Sequence, residues 1–327
     1  MKEKKQQVAV PLTGSLNDLL ENYGSSLKAL NRSPKTIDWY LDILDMFFGF
    51  LSLNNLLKPS SELGRQELKS YLLYLQERNR WPGSQHINDK SHLSPHSIQG
   101  HVRAIKAFWS WLLGEGLIPQ NPLAKFPLPK VPQNIIKTMT AEDMKKLLSA
   151  VDRSTPVGDR LYCVLMVLMD TGVRISELVN IKIPNINMSR SIMTVTGKGQ
   201  KQRDVPFSNI IRKDLIRFIN KSRPLISIVE SDYLFPAKYG DHLSITSVQQ
   251  ALKRLSRKAG ITKCNPHIFR HTFATMFIAS NGSAPILKEI MGHQSFQTTE
   301  KYIHLKADDL KRQHQIHSPM TEIFTKK

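Results

Sequence analysis

Apolar positions in the first 118 residues recur three or four apart between short polar breaks, the spacing of helices that bury one face. Ser15 precedes such a run from Leu16 to Leu30. Ser33-Pro34 places an N-cap before a proline at the first helical position, and the run after it, Ile37 to Leu51, carries a stripe through Tyr40, Leu41, Leu44, Phe47 and Phe48. Gln66 to Gln76 predicts a third helix. Ser94-Pro95 repeats the Ser-Pro start and opens a fourth, which runs to Leu113 and stops at Gly114. A polar loop, Trp81 to Leu93, precedes this last helix. No internal repeat is evident.

The pattern changes at residue 118. Prolines 119, 122, 127, 129 and 132 exclude a helix there and predict a semi-rigid extended linker. Thr140-Ala-Glu-Asp143 resembles a capping box and opens a second domain. Leu161 to Asp170 predicts a buried helix broken by Thr171-Gly172, with a short helical stretch from Arg174 to Asn180. Ser191 to Thr196 alternates as a strand, Gly197 to Gln202 turns, and Arg203 to Phe207 returns. Asn209 to Asn220 and Ser247 to Ala259 predict helices, Asn265-Pro266 opens another, and helix continues to about Lys311. The expected fold class is mainly α with a small antiparallel sheet in the C-terminal domain.

Composition narrows the function. Apolar residues make up 40% of the 327, which supplies sizeable cores and excludes wholesale disorder. The formal charge of +19 is uneven: residues 1–118 carry a net +3, residues 119–136 a net +2, and residues 137–327 a net +14. Such an excess points to a large polyanion, most simply nucleic acid, bound in a salt-dependent way. The two cysteines, Cys163 and Cys264, are too few for a disulfide framework and suit a reducing cytosol. No signal peptide is evident at Met1–Gln7, and the apolar run Leu161–Met169 is far short of the ~20 residues of a membrane span. The expected location is cytoplasmic.

Four segments carry candidate chemistry. In Asn265-Pro-His-Ile-Phe-Arg-His271, His267 lies in the first turn of a helix, where free N–H groups favour an anion, and Arg270 shares its face three residues on. Arg supplies a bidentate clamp and His a proton donor near neutrality. In Asp170-Thr-Gly-Val-Arg-Ile-Ser-Glu-Leu178, Arg174 follows a break and Glu177 lies one turn away, placed to pair with it. In Gly197-Lys-Gly-Gln-Lys-Gln-Arg203, Lys198 stands between two glycines at a hairpin tip. In Met291-Gly-His293 and the polar stretch that follows, His293 is placed to cap the helix or to hold an anion, and Tyr302 is expected to present an accessible hydroxyl. Each alone is equally compatible with a structural role: a surface His, an ordinary ion pair, a solvated hairpin tip, a half-buried aromatic.

In chain order these segments resemble the tyrosine recombinase (phage integrase) family, whose signature runs Arg, Lys, His-x-x-Arg, His, Tyr. Here it falls on Arg174, Lys198, His267, Arg270, His293 and Tyr302. Phe269 and Met291 stand where leucine is commoner. The resemblance implies a two-domain DNA clamp: a basic tail (1–12), a helical SAM-like core-binding domain (13–117), a proline-rich linker (118–136) and a catalytic domain with a C-terminal docking segment (137–327). It implies Tyr302 as nucleophile, the two arginines as phosphate clamps, Lys198 as general acid, His267 assisting proton transfer at the tyrosine, His293 on the phosphate and Glu177 holding Arg174. It further implies a 3′-phosphotyrosyl intermediate, exchange through a Holliday junction in a homo-tetramer or a hetero-tetramer with a related recombinase, and no metal, ATP or other cofactor. Double-stranded recombination sites are the expected partner. Lys201, Arg203, His271, Arg103, Lys106, Lys253 and Arg254 are expected to contact DNA. A start so close to the core-binding domain favours a compact Xer-like recombinase or small mobile-element integrase. A type IB topoisomerase and a catalytically silent DNA-binding protein remain open alternatives.

Overall fold

A computed structural model describes residues 16–59, 62–78, 92–132, 137–262, 264–293, 295–300 and 302. The basic tail, most of the polar loop before residue 92 and the segment beyond residue 302 lie outside them. The chain divides into two compact units, residues 1–134 and 135–327.

Among its described residues the first unit contains four helices: α1 (Leu16–Ala29), α2 (Pro34–Leu53), α3 (Arg65–Glu77) and α4 (Pro95–Gly114). Both Ser-Pro starts form as expected. The Ser33 hydroxyl accepts from the Thr36 N–H and that of Ser94 from the Ser97 N–H, while each proline occupies a position whose N–H would be unpaired. The apolar stripes meet in an aromatic core of Phe47, Phe48, Tyr71, Phe108 and Trp109. Lys106 donates its ammonium to the carbonyls of Ala124 and Phe126, tying the proline-rich stretch to α4. Arg103 is exposed.

The second unit is built around α6 (Pro156–Thr171), which packs against α8 (Asn209–Arg217) and α10 (Pro266–Ala279). Before it comes α5 (Ala141–Ser149), closed by the reciprocal Thr140–Asp143 capping box. After it come α7 (Ile175–Val179) and an antiparallel sheet of β1 (Ile186–Asn187), β2 (Ile192–Thr196) and β3 (Gln202–Pro206), in that order. The strand β1 was not expected, because two residues are too short to show alternation. A single π turn, Phe218–Ser222, follows α8. Helix α9 (Ile245–Lys258) starts ahead of the expected Ser247, because Ser244 is the cap that accepts from the Ser247 N–H. Beyond α10 lie α11 (Ala284–Met291) and the short α12 (Gln297–Glu300). The core gathers Leu165, Leu168, Phe218, Phe235, Leu252 and Phe269. Among the described residues no helix is long and apolar enough to cross a membrane.

One buried polar pair in the first unit has a pH signature. The His101 Nδ1 lies 3.0 Å from the Tyr71 hydroxyl in the core, and burial, with the Arg78 charge adding, pulls the imidazole down to about 4 from 6.5. The unfolded chain therefore binds more protons between pH 4 and 6.5, so stability is lost as pH falls through that window, by about 3 kcal/mol. All four tryptophans lie in residues 1–134, so their fluorescence follows this unit alone. Urea unfolding read by tryptophan emission should weaken from pH 7 to pH 4.5 in the wild type. In His101→Gln, which keeps a polar partner for Tyr71 but does not titrate, that pH dependence should be largely flattened.

Candidate active site

The site begins at a helix end. Gly172 closes α6 at φ +59°, and a Cβ there would lie 2.4 Å from the Phe273 ring of α10, so both backbone and packing require glycine. The turn delivers Arg174 to the start of α7. Its N–H donates to Glu177 Oε2 at 2.9 Å and its Nη1 to Oε1 at 2.8 Å. The guanidinium continues to the carbonyls of Met291, at 3.5 Å, and Gly292, at 3.2 Å.

Glu177 is the counter-charge of the site. Arg203 of β3 meets it in a two-pronged pair, Nη1 to Oε1 at 2.8 Å and Nη2 to Oε2 at 2.9 Å, and sends Nε to the Ile290 carbonyl at 2.7 Å. Burial alone would raise the Glu177 carboxyl. The hydrogen bond from Arg203, the Arg174 N–H and the two positive charges outweigh it and hold the group below its ordinary value, hence ionised. Arg203 was expected to contact DNA, but it faces inward. The register pairing Val195 with Arg203 lays it along the sheet toward α7 and α11. Gly292, at φ +61°, leaves room for it: a Cβ there would stand 2.9 Å from its Nη1.

Helix α10 supplies the second arginine. The Asn265 side chain accepts from the Ile268 N–H, and Pro266 fills the first turn. His267 is exposed in that turn, whereas Arg270 is only 7% exposed. Arg270 donates Nη1 to the Gly172 carbonyl at 2.7 Å and Nη2 to the Met291 carbonyl at 2.6 Å. Burial and the neighbouring Arg174 charge push it down to about 10, so it remains a cation at neutral pH. Arg174 and Arg270, distant in the chain, thus share one acceptor, the carbonyl of Met291.

His293 follows that carbonyl by two residues. It is buried, with Nδ1 2.8 Å from the Thr299 hydroxyl. Tyr302 is also buried, packed on Ala274, Leu287 and Met291, with its hydroxyl 2.5 Å from His271 Nδ1. Burial raises the phenol above its ordinary value, and the Arg270 charge opposes that shift. An accessible Tyr302 hydroxyl was expected, but burial in this apolar cluster overrides its polar sequence neighbours, and His271 was expected on DNA. The contact between them, 31 residues apart, had no sequence signal.

Lys198 lies at the tip between β2 and β3, but its side chain is outside the described residues. Lys201, Lys253 and Arg254 are exposed. Arg254 lines a cavity of about 550 Å³ between α9 and the start of α6, together with Arg160 and Lys258. Among the described residues no three His, Cys, Asp or Glu side chains are grouped as metal ligands would be.

Known proteins resemble the chain over both units. The phage integrase family model matches residues 137–309, and the model of the phage integrase N-terminal SAM-like domain matches residues 19–118. Tyrosine recombinase XerC of Bacillus pumilus (strain SAFR-032) is 30% identical over 294 residues, which is 88% of this chain and 92% of that one. Tyrosine recombinase XerD of Listeria monocytogenes (strain ATCC BAA-679 / EGD-e) is 26% identical over 294 residues, 89% of this chain and 95% of that one. Two solved structures share the fold. XerH site-specific recombinase bound to palindromic difH substrate superposes with a TM-score of 0.70 at 20% identity, covering 91% of this chain and 83% of that one. The Tn1549 transposon integrase in complex with a circular intermediate DNA does so with a TM-score of 0.71 at 18% identity, covering 91% and 98%.

The inward pair makes a stability prediction. Arg203→Ala leaves the Glu177 carboxylate buried with one guanidinium fewer and should cost about 3–5 kcal/mol in chemical denaturation. Arg203→Met combined with Glu177→Gln removes both charges and should recover part of that loss.

Proposed function

The chain belongs to the phage integrase family, and from that premise we propose that it recombines duplex DNA through a covalent link to Tyr302. The observation that carries this reading is the Met291 carbonyl bonded by both Arg174 and Arg270 beside His293, which sets two guanidinium groups from separate stretches of the chain toward one place.

The roles follow from charge and proton needs. In-line attack of the Tyr302 oxygen on a backbone phosphorus builds negative charge on the non-bridging oxygens. Arg174 and Arg270 neutralise that charge, and their planar donors suit a phosphate. His293, its ring fixed by Thr299, adds a hydrogen bond. His267, exposed at the N-terminal turn of α10, assists proton transfer at the site. Lys198 is assigned by the family pattern to protonate the departing 5′-oxygen. The product is a 3′-phosphotyrosyl bond, whose energy is retained for rejoining without ATP or a metal. Glu177 holds Arg174 in place. Exposed Lys201, Lys253, Arg254 and Arg103 contribute to affinity for the duplex, with both units engaging it, and the net +14 of residues 137–327 supports this. Four subunits, of this chain or of this chain with a related recombinase, exchange strands through a Holliday junction.

Incubated with a nicked duplex carrying its recombination site, the wild type should give a protein–DNA adduct on denaturing gels, in the presence of EDTA as well. Tyr302→Phe should give none. Arg174→Ala or Arg270→Ala should lower adduct formation by roughly 10²–10³-fold, with DNA affinity changed only a few-fold, since each meets one phosphate among many. An adduct on Tyr302→Phe would refute the assignment. Relaxation of supercoils without recombinant product from two sites would identify a topoisomerase instead.

A further inference from the structure

The reaction requires Tyr302 to lose its proton, and the residue that the structure sets against that proton is not the histidine of the family pattern. His267 is exposed in the first turn of α10. One helical turn later on the same helix, His271 places Nδ1 2.5 Å from the Tyr302 oxygen, with the ring centroids 5.7 Å apart. Tyr302 is 5% exposed and enclosed by Ala274, Leu287 and Met291, with Phe273, Phe277 and Ile278 packed alongside, so bulk water has little access to its hydroxyl.

We propose that His271 is the base that accepts the Tyr302 proton at cleavage and returns it at rejoining. The proposal rests on Tyr302 being the nucleophile. In the cleavage step the O–H bond of Tyr302 breaks and its proton passes to Nδ1 of neutral His271. The phenolic oxygen bonds to phosphorus as the bond from phosphorus to the 5′-oxygen breaks, and the leaving oxygen takes a proton from Lys198 in its family role. Rejoining runs the same steps backward, and His271 returns its proton to the phenolic oxygen.

Of the surroundings, the Arg270 charge favours the phenolate that this transfer leaves. Arg270 is the cation on the same helix, and Arg174 and Glu177 contribute from α7 and His293 from beyond α11. Helix α11 itself turns apolar Leu287 and Met291 to the phenol, while its Lys288 and Glu289 pair with each other. Burial holds the phenol protonated at rest, so ionisation by bulk hydroxide is suppressed and a local base is needed.

The test is single-turnover adduct formation on the nicked duplex from pH 6 to pH 10. His271→Gln, which keeps polarity but not basicity, should cleave roughly 10²–10⁴-fold more slowly than wild type at pH 7, bind DNA within a few-fold, and regain rate as the pH approaches the ionisation of the phenol itself. His271→Ala should be partly rescued by added imidazole. Wild-type rate and pH profile in His271→Gln would overturn the proposal. So would a loss equal at every pH in both variants without imidazole rescue, which would mark His271 as packing. Tyr302→Phe run alongside separates the two claims: an adduct there removes the nucleophile, whereas no adduct there with an unaffected His271→Gln removes only the base.

Discussion

The second unit is organised around an arrangement that electrostatics opposes: two guanidinium groups, one of them buried, held on a single carbonyl oxygen. Like charges in a poorly solvated place repel, and burial first, then the Arg174 charge, push Arg270 down. The fold offsets the cost with fixed acceptors. The carbonyls of Gly172, Met291 and Gly292 are freed because helices end there, and the Glu177 carboxylate is bound between Arg174 and Arg203. Two left-handed glycines, Gly172 and Gly292, make those helix ends possible. Under the proposed function, the same donors meet the charge that a phosphoryl transition state develops.

This accounts for how three distant stretches of chain act as one site. The α6–α7 break, the N-terminal half of α10 and the end of α11 meet at backbone atoms, and backbone acceptors do not vary with side-chain identity. The β2–β3 hairpin is joined to the same point by Arg203, which reaches both Glu177 and the Ile290 carbonyl. The loop bearing Lys198 therefore grows from a strand anchored to the arginine cluster.

The helices of the first unit were legible because Ser-Pro caps and apolar stripes are local signals, and the side-chain caps at Ser33 and Ser94 are the physics those signals encode. The alternation of β2 and β3 was legible for the same reason, while β1 and the π turn were not, since each is set by what packs on it. Arg174, Arg270, His293 and Tyr302 stood out as residue types in a family order. Arg203 did not: in sequence it is one more cation in a basic turn beside Lys201, and only strand register shows that it points inward. The bonds of Lys106 to the carbonyls of Ala124 and Phe126 had no sequence signal either, since a helix-surface lysine reads only as a cation. His271 was invisible as a partner of Tyr302, because a contact across 31 residues depends on how α10 and the segment after α11 pack.

The central claim is that Arg174 and Arg270 serve the charge of one phosphate. The most direct measurement replaces the scissile phosphate with a neutral methylphosphonate and compares adduct yields from wild type, Arg174→Ala and Arg270→Ala. With no charge left to neutralise, the alanine variants should recover most of the activity they lose on the natural phosphate. A defect of the same size on both substrates would contradict the account, because the arginines would then be needed for something other than that charge.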